Sequence, residues 1–113
     1  MSKRVEQISE VIRRELNEFI IRELEPPSDI LITVTDIKTT NDIKHTIIFI
    51  SVLPINKVGL ALKFLNNRLG RIKHHLSQRL RLHHLPELKV VADDSALKSR
   101  KVERELERLK NNS

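Results

Sequence analysis

Hydrophobic spacing along the chain predicts short helices and strands in a definite order. Apolar residues recur at intervals of three and four over residues 3–24, which predicts an amphipathic helix, and Pro26-Pro27 ends it. Two runs rich in β-branched residues follow, over residues 30–38 and 45–53. Because a turn-forming cluster at residues 39–42 separates them, we expect the two strands to pair as an antiparallel hairpin.

Alternation within these strands predicts which side chains share a face of the sheet. Strict alternation in the first strand separates Leu31, Thr33, Thr35 and Ile37 from Ile32, Val34 and Asp36. The second strand has few polar positions, which predicts that it is central in the sheet or covered on both faces.

The next apolar pattern predicts two helices that are separated by a break at Gly70. The first helix covers residues 55–69, and the second covers residues 71–82, where it buries Ile72, Leu76 and Leu80. On the opposite side of the second helix, polar and basic residues recur at the same spacing: Arg71, His74, Gln78 and Arg81. The apolar and basic stripes are therefore separated on one helix.

A third strand over residues 88–92 and a highly charged segment complete the chain. The order helix, strand, strand, helix, break, helix, strand predicts an α+β domain with a three-stranded sheet. We expect the helices to pack on one face of that sheet and the other face to be exposed to solvent, because so short a chain cannot cover both faces. We place this domain at residues 1–95 and interpret residues 96–113 as a charged C-terminal helix or tail.

The distribution of charged residues along the chain indicates what kind of partner it binds. The 113-residue chain has a formal net charge of +6, and residues 43–86 contain no Asp or Glu. That acid-free segment contains eight basic residues and all five histidines, whereas the remainder has thirteen basic and fifteen acidic residues. Charge that is separated in this way predicts one positive surface, and a positive surface attracts polyanions such as nucleic acid.

Other features of the composition narrow the class of protein. The chain has no cysteine, which excludes disulfides and thiolate metal sites, and no apolar run approaches the roughly 20 residues of a membrane-spanning helix. We therefore expect a cytoplasmic protein. With three Phe, no Tyr and no Trp, the chain can hardly build an aromatic platform for unpaired bases. Any nucleic acid should be bound through its phosphates and its shape.

The residues that could support catalysis or bind metal form no recognisable constellation. Adjacent histidines, as in His74-His75 and His83-His84, point about 100° apart on a helix and cannot chelate one ion well. Asp36 has no second acid or nucleophile beside it, which favours a turn-forming or capping carboxylate. Ser51 lacks the strained Gly-x-Ser-x-Gly turn of a hydrolase. We expect neither an enzyme nor a metal or other cofactor.

Short stretches spread over residues 3–95 point to a protein family through their shared order and spacing. They are Arg4-Val5-Glu6-Gln7-Ile8, Leu31-Ile32-Thr33-Val34-Thr35-Asp36-Ile37, Ile50-Ser51-Val52-Leu53, Leu69-Gly70-Arg71-Ile72, Leu80-Arg81-Leu82, Leu85-Pro86-Glu87-Leu88 and Asp93-Asp94-Ser95. In this arrangement the chain resembles the ribosome-binding factor A family.

The resemblance implies a type II KH-like fold and a role without catalysis. Members of this family are cytoplasmic factors that bind the free 30S ribosomal subunit, contact 16S rRNA during late maturation and support processing of the ends of its precursor. They leave before translation, often with help from a GTPase. The resemblance therefore implies a monomeric ribosome assembly factor whose partners are the 30S subunit, 16S rRNA and a release GTPase, and it implies no membrane partner.

The chain departs from the family pattern at the break between its two core helices. A KH domain ordinarily clamps nucleic acid backbone there with a Gly-x-x-Gly loop, which the family replaces with Ala-x-Gly. The corresponding positions are Arg68-Leu69-Gly70, so Arg68 replaces the alanine and Gly70 is kept, as a sharp break would require. Arg68 could alter the angle between the helices and could add a phosphate contact.

Candidate RNA contacts lie on the second core helix and at the start of the chain. Arginine forks match phosphate oxygens with two hydrogen bonds, which favours the helix as the main contact. Lys3 and Arg4 could add contacts, since cations near a helix N-terminus are mildly unfavourable without a partner. The candidate set is Lys3, Arg4, Arg68, Gly70, Arg71, Lys73, His74, Gln78, Arg79 and Arg81.

Two other interpretations stay open. The first is a generic basic protein-interaction or RNA-chaperone module, in which residues 96–110 dock on a partner and the basic face is only a solvated surface. The second is a small RNA-processing enzyme, which would need a general base, a metal site or a nucleophile.

Overall fold

The observed helices and strands follow the predicted order. The computed structural model describes residues 3–82, 84–93 and 108. In chain order, the elements are helix α1 (Lys3–Phe19) with a following π-helical turn (Ile20–Leu24), strands β1 (Leu31–Thr39) and β2 (His45–Leu53), a 3-10 turn (Ile55–Lys57), helices α2 (Val58–Asn66) and α3 (Leu69–Arg79), and strand β3 (Glu87–Ala92). The predicted C-terminal helix or tail, residues 96–113, lies outside the described residues apart from Arg108.

The first helix ends where its sequence can no longer stay helical. Glu25 takes a left-handed conformation with φ 50° directly after the π-helical turn. A left-handed residue commonly ends a helix, and the following Pro26-Pro27 offers no N–H group to continue one. The chain then turns back, and β1 runs beside α1.

The three strands form one sheet in the order β1-β2-β3. β1 and β2 pair antiparallel as the predicted hairpin, whereas β2 and β3 pair in parallel. Every residue from His45 to Ile50 in β2 is buried, which confirms the prediction that this strand is central. A parallel connection needs a crossover, and α2 and α3 provide it.

A β-bulge in β1 changes which residues face the helices. Val34 pairs with Ile50, but the next residue of β1 to pair is Asp36, with Phe49, so one residue of β1 is extra. As a result Ile37 lies on the same face as Val34, and both are buried in the core. The predicted strict alternation, which put these two residues on opposite faces, is wrong because the extra residue reverses the alternation.

One hydrophobic core joins all three helices to a single face of the sheet. Its members are Ile12, Leu16, Phe19, Ile20, Leu24, Ile30, Ile32, Val34, Ile37, Ile48, Ile50, Val52, Ala61, Leu65, Ile72, Leu76 and Val90. Fully burying one such large side chain stabilises the fold by about 1.5–3 kcal/mol. The predicted α+β architecture, with the helices on one face, is confirmed.

We call the opposite face of the sheet the outer face. We expected all of it to be exposed to solvent, but only part of it is. Ile47 and Phe49 point to this side and are 0% exposed. At the other end of the same face, Leu31 and Leu53 pair directly with each other and are 56% and 57% exposed. The outer face is therefore buried at one end and open at the other.

Candidate nucleic-acid interface

Helix α3 separates a buried apolar side from an exposed basic side, as the sequence predicts. Ile72 and Leu76 are 2% and 0% exposed and fix the helix on the core. Five exposed side chains of the helix are basic or carry an amide, and we call them the α3 basic face: Arg71, Lys73, His74, Gln78 and Arg79. No carboxylate can come from the acid-free segment that surrounds this face, because residues 43–86 contain none.

The break between the two core helices lies earlier than predicted. α2 ends at Asn66, α3 begins at Leu69, and Arg68 stands before α3 with φ −117° and ψ 13°. Gly70 lies inside the first turn of α3, and no glycine has a positive φ. The prediction that the break needs Gly70 is wrong, because both residues of the break adopt angles that any residue can take.

Gly70 instead leaves a gap in the surface at the start of α3. A Cβ atom built on Gly70 would meet no atom within 4 Å, and the residue is exposed. The peptide N–H groups in the first turn of a helix have no partner within the helix and attract anions. The backbone at Gly70 is therefore open to a close approach by a phosphate.

Arg68 is partly engaged within the protein. Its Nη1 donates a hydrogen bond to the Phe64 carbonyl at 3.0 Å, and its guanidinium carbon lies 3.8 Å from the centroid of the Phe64 ring. Such a cation–π contact contributes about 0.5–1 kcal/mol at an exposed site. Since that hydrogen bond uses one of five N–H donors, the guanidinium keeps donors for a phosphate.

Helices α1 and α3 meet along a seam that uses one histidine of the His74-His75 pair. The ring of His75 stacks on Phe19, with centroids 4.3 Å apart and planes 19° apart. Its Nε2 lies 3.3 Å from Oε2 of Glu15, and Nε of Arg79 lies 3.8 Å from the same oxygen. His75 therefore holds the helices together, whereas His74 points to solvent.

The same seam anchors the start of α3. Nη2 of Arg71 donates to the carbonyl oxygen of Glu23 at 3.1 Å, close to the end of α1. α1 and α3 thus run antiparallel, and glutamates of α1 border the α3 basic face on one side. No pattern in the sequence marks this border, because it depends on a contact between residues about fifty positions apart.

Besides Arg68 and Gly70, three further candidate residues lie outside the α3 basic face. Leu80 is extended, with φ −103° and ψ 134°, so the exposed Arg81 leaves the helical stripe on which we predicted it. Lys3 and Arg4 are exposed at the start of α1, and the helical rise puts Lys3 about 18 Å from Glu15 along that helix. Any contact from Lys3 or Arg4 would thus form a second, separate patch.

We next consider the residues in the described part of the chain that could bind a metal ion or catalyse a reaction. Within residues 3–82, 84–93 and 108, no group of three or more His, Asp and Glu residues could hold a metal ion. Asp36 lies inside β1 beside the bulge, where it accepts a hydrogen bond from the N–H of Ile37 at 2.8 Å. The prediction of a turn-forming or capping carboxylate is wrong, because Asp36 bonds within its own strand. None of the described helices is long and apolar enough to cross a membrane.

Comparison with known proteins decides the family. The sequence profile described as ribosome-binding factor A matches residues 4–106. The chain belongs to the ribosome-binding factor A family. A member from Thermodesulfovibrio yellowstonii is 28% identical over 111 residues, which are 98% of this chain and 94% of that protein.

Solved structures of the family share the fold. The crystal structure of ribosome-binding factor A from Thermus thermophilus matches with a TM-score of 0.69 at 24% identity, over 78% of this chain and 94% of that one. Coordinates of the Thermus thermophilus factor fitted into a cryo-EM map of its complex with 30S match with a TM-score of 0.61 at 25% identity, over 74% of this chain and 88% of that one. The KH-like fold that the resemblance implied is confirmed.

Proposed function

We propose that the chain is a ribosome assembly factor that binds the free 30S subunit through 16S rRNA during late maturation. It supports processing of the precursor ends without catalysing a reaction itself. The observation that supports this most is the α3 basic face, which is exposed and surrounded by a segment without acids. The family and the fitted complex of the Thermus thermophilus factor with 30S point to the same partner.

The main RNA contacts are ionic and directed at phosphates. Lys73 projects from α3 into solvent. Arg71 and Arg79 are also exposed, and beyond their contacts with the Glu23 carbonyl and Glu15 they keep N–H donors for a phosphate oxygen. Gln78 and His74 stand among them and can add hydrogen bonds to phosphate or ribose. Contacts of this kind fix the position of a protein on RNA but select little sequence, which suits recognition of one folded RNA by its shape.

The start of α3 contributes a second kind of contact. Gly70 lets the RNA backbone approach the first turn of the helix, and Arg68 stands directly before that turn. Arg81 follows the opposite end of the helix and would contact a different phosphate. This arrangement replaces the loop with which an ordinary KH domain clamps nucleic acid backbone. Lys3 and Arg4 add a separate patch that would touch a different part of the subunit.

The remaining parts of the proposal are expectations that the resemblance to the family implies. The protein acts in the cytoplasm as a monomer and uses no cofactor. It leaves the subunit before translation, with a GTPase as its release partner.

Co-sedimentation with ribosomal particles on a gradient tests the proposed function. If about four basic residues meet phosphates, binding should weaken roughly 100-fold between about 50 and 200 mM salt. We expect the protein to migrate with free 30S subunits at the lower salt and not with 50S subunits or 70S ribosomes. Equal association with all particles would indicate a generic polyanion binder, and absence from every particle would refute the proposal.

A further inference from the structure

The buried end of the outer face requires a cover. Ile47 and Phe49 are large, lie on the central strand and are 0% exposed, and the neighbouring His45 is 8% exposed. All three point away from α1, α2 and α3, which pack on the other face. A residue on an uncovered sheet face keeps a substantial part of its side chain in contact with solvent, because neighbouring strands shield it only from the sides.

The described neighbours of these residues stand beside them and not above them. Ile47 pairs with Lys38 of β1 and with Lys89 of β3. Phe49 pairs with Asp36 and Val91 in the same two strands. No helix or strand among residues 3–82 and 84–93 packs over this row, so those elements do not account for its complete burial.

The path of the chain after β3 leads onto this face. The N–H of Asp93 donates to the Ile50 carbonyl at 2.6 Å, which extends the pairing of β3 with β2 by one residue. The hydroxyl of Thr35 in β1 donates to Oδ2 of Asp93 at 2.5 Å. Because β2 lies between β1 and β3, the Asp93 side chain reaches across the central strand, and it does so beside Phe49 on the outer face.

We propose that the C-terminal segment, residues 94–113, docks on the outer face and covers Ile47 and Phe49. It starts where Asp93 crosses the sheet, and its twenty residues are enough to span the buried row. Val102, Leu106 and Leu109 recur at spacings of four and three, a pattern that would put them on one side of a helix over about 10 Å. Arg108, which is helical and exposed, falls on the other side of such a helix.

Charge on both surfaces fits this docking. Lys38 and Lys89 flank Ile47 on the outer face. On a helix, two glutamates of the segment would flank this apolar stripe, Glu103 on one side and Glu105 on the other. Since the α3 basic face lies on the helix side of the sheet, docking leaves that face free. The segment is then an internal part of the fold and not an arm for a partner, and this conclusion does not rest on the proposed function.

Cysteine accessibility tests the docking, because the chain has no cysteine of its own. Ile47→Cys should react with DTNB about tenfold or more slowly in the full-length chain than in a chain that ends at Ser95. Leu53→Cys is the matched control on the same strand and face, and it should react at one rate in both chains because Leu53 is already exposed. Equal rates for Ile47→Cys in both chains would overturn the proposal.

A full-length variant covers the case in which truncation prevents folding. Added to Ile47→Cys, the changes Val102→Ser, Leu106→Ser and Leu109→Ser together should expose the introduced thiol as truncation does, whereas Arg100→Ser, Arg104→Ser and Arg108→Ser should not. In the unaltered protein, a zero-length carbodiimide cross-link should join Lys38 or Lys89 to Glu103 or Glu105. If neither lysine cross-links to them and the apolar variant leaves the introduced thiol protected, the segment does not lie on this face.

Discussion

The side-chain amide of Asn17 in α1 pairs with both backbone groups of Val34 in β1. Nδ2 of Asn17 donates to the Val34 carbonyl at 3.1 Å, and the Val34 N–H donates to Oδ1 at 2.8 Å. β1 is an edge strand, so these backbone groups face away from β2 and have no strand to pair with. Asn17 therefore does locally what a fourth strand would do, and it protects the edge from pairing with another chain.

Replacing Asn17 should cost more stability than its partly exposed position suggests. Asn17→Ala leaves a donor and an acceptor of Val34 without their partner, and we expect a loss of about 1–3 kcal/mol in the free energy of unfolding. Urea denaturation measures it. The neighbouring Glu18→Ala, at an exposed position of the same helix, is the control and should change little. Equal midpoints for the two variants would mean that the amide contributes nothing.

Leu76→Ala tests how α3 is seated on the core. Leu76 is 0% exposed, and removing its side-chain atoms should cost about 2–5 kcal/mol, through lost burial and the cavity left behind. Gln78→Ala, on the exposed side of the same helix, should change the free energy of unfolding by less than about 0.5 kcal/mol. A thermal melt that Leu76→Ala leaves unchanged would contradict the orientation of α3, and with it the α3 basic face.

Gly70→Ala should raise the stability of the fold and weaken binding to 30S subunits. Gly70 has a helical conformation with open space around it, so alanine should stabilise the fold by about 0.5–1 kcal/mol. If the RNA backbone approaches this turn, the added methyl group should nevertheless weaken binding to 30S subunits. Thermal melting and co-sedimentation of the same preparation give both results. A stabilised variant with unchanged binding would remove Gly70 from the interface.

The turn between β1 and β2 should respond to acid through Asp42. Oδ1 of Asp42 accepts hydrogen bonds from the Thr40 hydroxyl at 2.5 Å and the Lys44 N–H at 3.1 Å. These bonds, that of Thr40 first, hold the pKa of Asp42 below its ordinary value. A lowered pKa in the folded state contributes stability above the unfolded pKa, and the contribution is lost as pH falls through the folded pKa.

Asp42→Asn imitates the protonated carboxyl and therefore reveals this contribution. The variant should melt slightly below the unaltered protein at pH 7, and the gap should close as pH falls below about 4, the ordinary value for aspartate. Thr40→Val is the control, because it removes the hydrogen bond from the Thr40 hydroxyl to Asp42. When Asp42→Asn is added to Thr40→Val, it should lower the melting temperature at neutral pH by less than it does in the unaltered protein. A gap that stays constant from about pH 7 to about pH 3 would contradict the role given to Asp42.

Most of the fold could be predicted because it depends on local periodicity. The hairpin, the central position of β2 and the buried side of α3 all follow from spacing and from β-branched runs. The bulge before Asp36 could not be predicted, since one extra residue among alternating β-branched residues leaves no mark in the sequence. The position of the break was predicted wrongly because glycine suggested it, whereas Arg68 adopts the required angles without strain.

The candidate site was predictable in charge but not in detail. The acid-free segment does place exposed basic residues on α3. The stacking of Arg68 on Phe64, the burial of His75 against Phe19 and the departure of Arg81 from the helix depend on tertiary contacts. Sequence spacing cannot show which of two adjacent histidines turns inward when helices from distant parts of the chain pack together.

Charge reversal on α3, followed by co-sedimentation with purified 30S subunits at about 50 mM salt, tests the central claim most directly. Arg71→Glu combined with Arg81→Glu should keep the fold, because both residues are exposed and the changes remove a single surface hydrogen bond, from Arg71 to the Glu23 carbonyl. The variant should lose most of its binding to the subunit. Arg13→Glu combined with Arg14→Glu makes the same change in net charge at accessible positions earlier in α1, and it should bind nearly as well as the unaltered protein. Loss of binding confined to the first pair supports RNA recognition by α3. Equal binding by both pairs would contradict it.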